Sequence, residues 1–89
     1  MLKPKYKNIF LKDRKLAEKR GKDLVKLVEV MRLLGSGNVI DSKYKDHPLA
    51  GNYKSYRECH VENDWLLIYK KIDDIIIFER TGTHSDLFR

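Results

Sequence analysis

The hydrophobic pattern of the first 21 residues predicts a short strand followed by a helix. Residues 2–7 alternate enough for an edge strand, where Pro4 is tolerated because proline cannot donate a ladder hydrogen bond. Asn8 is a plausible N-cap for the helix. Gly21 is expected to follow its end, since glycine readily adopts the left-handed conformation found there. Four apolar residues at helical spacing are expected to face inward: Ile9, Phe10, Leu16 and Ala17.

A second helix is predicted after Asp23, whose carboxylate suits a first helical turn. Apolar residues then follow the i, i+3, i+4, i+7 rule: Leu24, Leu27, Val28, Met31 and Leu34. Three further apolar residues widen this stripe, so that the helix is covered on more than one side: Val25, Val30 and Leu33. The glycines of residues 35–38 stop the helix, and the two helices are expected to form a hairpin.

The second half of the chain predicts a three-stranded meander. Residues 39–52 show no period and indicate a loop, whereas the strands are expected over 53–60, 65–70 and 75–81. Turns at 61–64 and 73–74 separate them. The fold class is therefore α+β: an N-terminal edge strand, a two-helix hairpin and an antiparallel three-stranded meander in one twisted sheet. With the helices on one sheet face, the other face is available for a functional site.

Length and composition narrow the class of protein. The chain of 89 residues is long enough for one modest core, so residues 1–89 are expected to form a single domain. No apolar run is long enough to cross a bilayer, and the charged N-terminus does not resemble a secretory signal. The single cysteine, Cys59, cannot form an internal disulfide. These features predict a cytoplasmic protein with no membrane partner.

The net charge of +6 is unevenly distributed along the chain. Residues 1–45 contain 13 Lys and Arg against 5 Asp and Glu, a charge of +8, whereas residues 46–89 contain 6 against 8, a charge of −2. The basic first half would attract a phosphate backbone or an acidic protein partner. Solvated helix faces explain the same charges equally well.

Three histidines in the second half are candidates for proton transfer: His47 in a loop, His60 at a strand end and His84 after a glycine turn. Neutral imidazole accepts a proton and imidazolium donates one, and both forms exist near neutral pH. Asp64 lies across the predicted turn from His60, where a carboxylate would orient the imidazole. Each histidine alone could be an ordinary surface residue, but three at element ends indicate a site. Zinc binding ranks lower because no close histidine spacing occurs, and no metal or cofactor is predicted.

Several other side chains are candidates for binding a substrate. Arg57 and Arg80 could each clamp a phosphate, or could instead pair with Glu58, Glu79 or another carboxylate. Lys45 could do the same from its loop, or be merely exposed. Two aromatic residues could each stack on a nucleobase or pack in the core: Trp65 and Phe88. Cys59 is better explained as a buried structural residue than as a nucleophile.

Three stretches carry a resemblance to a known family: YKDHPLAG at 44–51, YRECHVENDWLLIYK at 56–70 and FERTGTHSDLF at 78–88. In this order they resemble the YafQ-type toxins of the RelE superfamily, found in bacterial toxin–antitoxin pairs. The resemblance implies two helices packed on a twisted antiparallel sheet. It also implies a ribonuclease that cuts mRNA on the ribosome and is silenced by a cognate antitoxin. The family's functional residues fall on His47, His60, Asp64, Trp65, His84 and Phe88.

These side chains can supply the acid and the base that the implied reaction needs. The 2′-OH of RNA attacks the adjacent phosphate, so the reaction requires one base and one acid but no metal. The pattern favours His60, tuned by Asp64, and His84 as the acid–base pair, with His47 orienting or charging the phosphate. The basic first half would hold the ribosome. The alternative is a non-enzymatic basic RNA-binding or repressor module in which the histidines are incidental.

Overall fold

The computed structural model describes residues 1–88. Five strands form one sheet in the order β1-β5-β4-β3-β2. Two one-turn 3-10 helices, Ser42–Tyr44 and Gly51–Tyr53, flank β2. The elements follow in chain order: β1 (Lys3–Tyr6), α1 (Asn8–Lys19), α2 (Leu24–Gly35), β2 (His47–Pro48), β3 (Arg57–Glu62), β4 (Trp65–Ile72), β5 (Ile75–Gly82) and α3 (His84–Leu87).

The antiparallel meander of β3, β4 and β5 is confirmed, with tight turns at 63–64 and 73–74. β1 is an edge strand, as its proline required, but it runs parallel to β5 rather than antiparallel. Parallel neighbours need a crossover connection, and all the elements between β1 and β5 supply it. The sheet is therefore mixed, which the alternation of residues 2–7 could not show.

Two predicted segments of the second half differ most from the structure. The prediction of loop over 39–52 misses β2, because a strand of two residues is too short to show a period. The strand predicted over 53–60 starts only at Arg57 and continues to Glu62. Ser55 has a φ of 81°, in the left-handed region, so the chain is still turning there.

The helix pair lies on one face of the sheet and encloses the main core. The core residues on the helices are Phe10, Ala17, Leu27, Val30 and Leu34, and those on the sheet are Cys59, Trp65, Leu67, Tyr69, Ile76 and Phe78. The prediction that Ile9 and Leu16 face inward is wrong, since they are 44% and 42% exposed. The broad stripe predicted for α2 is also too wide, with Val25 and Val28 exposed. Each helix has only the sheet and its neighbour to pack against, so its flanks stay outside.

Helix ends follow local sequence with small shifts. Lys7 rather than Asn8 occupies the N-cap of α1, and α1 ends before Gly21, whose φ is 82°. Asp23 is the N-cap of α2 and its carboxylate accepts a hydrogen bond from the Val25 amide at 3.0 Å. This bond satisfies one of the amide groups left unpaired at a helix start.

The sheet face opposite the helices is partly covered. The residues packed there are Leu66, Ile68 and Leu87, with Leu49, Tyr53 and Tyr56 around them. Leu87 belongs to α3, a short helix where the sequence predicted only a tail. The expectation of an open face is therefore correct only for the area beside this cluster. Within residues 1–88, no helix has the length and apolar character needed to cross a membrane.

Candidate active site

The three histidines come together at one end of this second face. His47 lies on β2, His60 on β3, and His84 opens α3. The ring centroids of His47 and His60 are 6.3 Å apart, and those of His60 and His84 are 5.8 Å apart. Pairing of β2 with β3 places His47 beside His60, and the turn after β5 returns His84 to the same place. The predicted meeting of three imidazoles is thus confirmed in geometry.

Asp64 contacts His84 and not His60, so the predicted His60–Asp64 pair is wrong. The Asp64 carboxylate lies 2.6 Å from Nδ1 of His84 and accepts the His84 backbone amide at 2.9 Å. These two bonds lower the pKa of Asp64, the backbone one most strongly. A bulge between His60 and Glu62 shifts the register before the turn, and Asp64 leaves the β3 face. Nδ1 of His84 is engaged by Asp64, and Nε2 is the ring nitrogen that lies outside this contact.

The carboxylate that does face His60 is Glu58, which the sequence analysis considered only as an arginine partner. Glu58 is 5% exposed, and its Oε2 lies 3.1 Å from Nε2 of His47 and 3.7 Å from Nε2 of His60. Its Oε1 is buried and has no hydrogen-bond partner among residues 1–88. The signal was present in the sequence, because residues two apart on a strand share a face and Glu58 precedes His60 by two.

Both ring nitrogens of His47 meet oxygen acceptors. Nδ1 lies 2.7 Å from the Lys45 carbonyl oxygen, and Nε2 faces Glu58. Imidazole donates from both nitrogens only when protonated. The His47 ring is therefore held between the Lys45 carbonyl and the Glu58 carboxylate. Lys45 contributes through its backbone, which adopts a left-handed φ of 52°.

Both arginines form ion pairs, which was the alternative prediction for each. Arg57 Nε lies 3.0 Å from Asp46, and alternation places Arg57 on the strand face opposite His60. Arg57 thus makes the ion pair that was its alternative, and its role in binding phosphate stays a prediction. Arg80 binds Asp13 through Nε and Nη2 at 2.7 and 3.1 Å, and this contact raises the pKa of Arg80. Nη1 of Arg80 takes no part in that bidentate pair and stays a candidate for phosphate.

The two aromatic candidates have different surroundings. Trp65 is 1% exposed and its indole N–H donates to Thr81 Oγ1 at 2.9 Å. Its prediction as a stacking platform is wrong, because a ring enclosed by the core offers no face to a nucleobase. Phe88 is 43% exposed and packs edge-on against Tyr53 with ring centroids 5.8 Å apart. Phe88 therefore keeps one accessible side.

Cys59 is fully buried, and burial is the main cause that raises the pKa of its thiol to about 12. Its interpretation as a structural residue is confirmed, since the thiolate needed for attack is scarce at neutral pH. Residues 1–88 contain no group of three or more His, Cys, Asp or Glu side chains arranged to hold a metal ion.

The chain is similar to known proteins over nearly its whole length. Residues 2–89 match the family model described as "Bacterial toxin of type II toxin-antitoxin system, YafQ". The chain belongs to the YafQ family. The mRNA interferase toxin YafQ of Escherichia coli strain K12 is 52% identical over 84 residues, which cover 93% of this chain and 91% of that relative.

Solved structures of the YafQ family agree with the fold. The crystal structure of YafQ from Escherichia coli strain BL21(DE3) superposes with a TM-score of 0.95 at 48% identity, covering 100% of both chains. The toxin in the crystal structure of the Escherichia coli DinJ–YafQ complex superposes with a TM-score of 0.91 at 48% identity, again over 100% of both chains. The α+β fold inferred from the sequence is thus that of the family.

Proposed function

We propose that this chain is the toxin of a toxin–antitoxin pair and cuts mRNA as an endoribonuclease. The observation that carries the proposal is the row of three imidazoles, with Asp64 bound to Nδ1 of His84 at 2.6 Å. That bond leaves Nε2 of His84 for proton transfer. The name of the 52% identical relative, an mRNA interferase toxin, supports the same activity.

In the proposed reaction the RNA supplies its own nucleophile. A base removes the 2′-OH proton, the 2′ oxygen attacks the adjacent phosphorus, and the bond to the 5′ oxygen breaks as an acid protonates that oxygen. The products are a 2′,3′-cyclic phosphate and a 5′-hydroxyl. His60 and His84 are the proton-transfer pair, because their rings are neighbours and His84 is oriented by Asp64. Each positioned group contributes about 10²–10⁴ in rate.

His47 has an electrostatic role in this proposal. One ring nitrogen lies on the Lys45 carbonyl and the other on Glu58, so the ring is held in place and can donate to both acceptors in its protonated form. A positive charge beside the phosphorus stabilises the negative charge that develops during attack. Glu58 in turn holds His47 and borders His60, which makes it a positioning residue for both imidazoles.

The remaining candidates would bind the substrate around this centre. Arg80 offers Nη1 to a phosphate while Asp13 holds the other side of its guanidinium. Phe88 offers its exposed side to a base, as aromatic rings do in single-stranded RNA recognition. Lys45, exposed beside His47, would meet the backbone of the RNA.

The partners follow from the same proposal. The mRNA would be cut on the ribosome in the cytoplasm, where the basic first half provides attraction to ribosomal RNA. A cognate antitoxin would block the activity, and the complex of the related Escherichia coli toxin with DinJ supports a partner of that class.

The test is to induce the chain in bacteria without antitoxin and to map the new 5′ ends of mRNA. We expect growth arrest and new ends within translated regions, and neither with a His84→Ala variant made in equal amount. Purified protein is expected to cut mRNA on programmed ribosomes in the presence of EDTA. If His84→Ala cuts as well as the parent, or if chelation abolishes cutting and zinc restores it, the acid–base proposal is wrong.

A further inference from the structure

A cleft opens beside the histidines, between α2 and the outer edge of the sheet. Its volume is about 560 Å³, within the range of roughly 300–1,000 Å³ typical of small-ligand sites. One wall is α2, the other is the 3-10 turn at Ser42–Tyr44 with Lys45, and the end of β3 closes the base. Of the residues that line this cleft, only His60 and Lys45 have a role in the function proposed above.

The floor of the cleft is apolar and its rim is basic. Val30, Tyr44 and Val61 line the inside; Val30 is 2% exposed, and the other two are partly buried. The cations that border the cleft are Lys26, Lys43 and Lys45. An apolar floor beneath ammonium groups suits a flat base attached to a phosphate, as in other single-strand binding sites.

The carboxylates of the cleft do not cancel this positive rim. Glu62 is held by Lys26 at 2.8 Å and by Lys22 at 3.2 Å, and both contacts lower the pKa of Glu62. Glu29 is held by Arg32 at 2.7 Å. Each carboxylate is thus paired with at least one cation, and Lys43 and Lys45 stand on the wall opposite α2.

The cleft is continuous with the candidate active site. His60, the middle ring of the histidine row, lines the cleft as well. Lys45 also belongs to both the cleft and the candidate active site. It borders the cleft, and its backbone carbonyl oxygen contacts Nδ1 of His47. An RNA strand with its scissile phosphate at the histidines would have its neighbouring nucleotide at the mouth of the cleft.

We propose that this cleft is a subsite for the nucleotide that flanks the scissile phosphate, a role that rests on the proposed ribonuclease function. The base occupies the floor against Tyr44, and the phosphate meets Lys43 and Lys45. Phe88 and Tyr53 lie on the other side of the second face, so the substrate is held on both sides of the histidines. The cleft then determines which nucleotide is accepted next to the cut.

The first experiment measures binding without cleavage. Amide spectra of the full chain are followed by NMR while fully 2′-deoxy trinucleotides are added, since these lack the 2′-OH and cannot be cut. We expect shift changes at residues 43–45 and 60–63. Tyr44→Leu is expected to raise the apparent Kd by about five-fold or more, because stacking of a base on an aromatic ring is lost. Tyr44→Phe keeps the ring and is expected to bind like the parent.

Lys43→Ala is expected to weaken the same binding and to reduce its salt dependence. The matched control is Lys71→Ala, which removes an exposed lysine at the far end of β4 and is expected to change nothing. Thermal unfolding of each variant checks that the fold is intact. Shifts that avoid the cleft, or Tyr44→Leu binding as tightly as Tyr44→Phe, would overturn the subsite.

A second readout uses cleavage. On programmed ribosomes, Tyr44→Leu is expected to raise KM more than it lowers kcat and to broaden the nucleotide preference beside the cut. If Tyr44→Leu instead loses antitoxin affinity while trinucleotide binding and KM are unchanged, the cleft is a protein interface and the subsite is wrong. If the parent cuts no mRNA but the trinucleotide shifts remain in the cleft, the ribonuclease proposal fails and nucleotide binding there survives.

Discussion

Glu58 is a residue whose surroundings suit catalysis better than stability. Its carboxylate is nearly inaccessible and Oε1 has no hydrogen-bond partner within residues 1–88. A buried polar atom without a partner destabilises the folded state by about 1–3 kcal/mol. Its contacts with His47 and His60 offset only part of that cost. Such a conflict between local stability and polar chemistry is characteristic of functional sites.

Glu58→Leu is therefore expected to separate stability from activity. The leucine removes an unsatisfied carboxylate from a site beside buried Ile68, and the free energy of unfolding is expected to rise by about 1 kcal/mol. For a domain of this size that is a Tm increase of roughly 4–8 °C. The cleavage rate is expected to fall by roughly 10²-fold, since His47 and His60 lose their anchor. A variant that is both less stable and fully active would contradict this role.

Asp64 and His84 are expected to act as a unit. Asp64→Asn keeps the size of the side chain but loses the charge that orients the His84 ring, so the rate should fall by about 10²–10⁴-fold. The double variant with His84→Ala is expected to cost little more than His84→Ala alone, because groups that act together are not additive. Single-turnover cleavage on programmed ribosomes measures both effects.

The control for this pair is Asp73→Asn. Asp73 is exposed in the turn between β4 and β5 with a φ of 54°, a conformation that asparagine adopts readily. The Asp73→Asn variant should cut mRNA at the parental rate. Equal loss in the two asparagine variants would show that the effect of Asp64 is one of net charge and not of the contact with His84.

At the scale of elements, the position of α3 depends on contacts that link it to α1. Asp86 accepts the Thr83 amide at 2.9 Å, while the Thr83 hydroxyl accepts the Asp86 amide at 3.1 Å. Arg20, just past the end of α1, binds the same carboxylate at 2.7 Å. A Cβ on Gly82 would lie 2.9 Å from Asp86 Oδ2, so a larger residue there would displace the Asp86 side chain that makes these contacts. The helix hairpin therefore helps to place His84.

This linkage predicts a pH-dependent stability. Chiefly the Arg20 contact lowers the pKa of Asp86 to about 2, from 3.8 for an ordinary aspartate. A carboxyl whose pKa is lower in the folded state adds stability above the unfolded pKa and loses it as pH falls through the folded value. Asp86→Asn is thus expected to be less stable than the parent by about 2 kcal/mol at pH 6. The difference should shrink between pH 4 and pH 2 in urea unfolding curves.

Arg20→Met tests the same linkage from the other element. In the Arg20→Met background, most of the pH-dependent difference in stability that Asp86→Asn causes should disappear. The cleavage rate should also fall, because α3 carries His84. Should Arg20→Met and Asp86→Asn destabilise the fold while leaving the rate unchanged, the hairpin would stabilise α3 without positioning the histidine.

At the scale of the whole molecule, charge and chemistry occupy different parts of the surface. The positive charge lies mostly in residues 1–45, but Lys22 and Lys26 are engaged by Glu62. The exposed lysines of α1 are better candidates for attraction to the ribosome: Lys12, Lys15 and Lys19. Surface charges of this kind act over a Debye length of about 8 Å at physiological salt.

Reversal of Lys15 and Lys19 to Glu is expected to weaken ribosome association and to flatten its salt dependence. The control reverses Lys5 and Lys71, which are exposed at the end of the sheet remote from the histidines and change the net charge equally. Co-sedimentation with ribosomes at several salt concentrations measures both. Equal loss in the two variants would mean that net charge alone decides binding, and no loss in either would assign α1 to another partner.

Local sequence determined the helices and strands that have a clear hydrophobic period and the turns that have characteristic residues. The α1–α2 hairpin, the β4 and β5 strands and the turn at 73–74 follow from helical spacing, β-branched runs and glycine or aspartate positions. The three histidines were identified from the positions that the sequence predicted for them, in a loop, at a strand end and after a glycine turn. The resemblance supplied the family, and with it the expected reaction.

Tertiary structure decided the contacts between side chains that are distant in sequence. Asp64 binds His84, twenty residues away, because a bulge and the return of the chain after β5 outweigh its nearness to His60. Trp65 is enclosed by the core, and Arg57 and Arg80 are paired with aspartates of other elements. Such pairings depend on register and packing, which a one-dimensional pattern does not contain. The sequence names the candidate groups, whereas the fold determines which of them meet, because only in the folded chain do their distances exist.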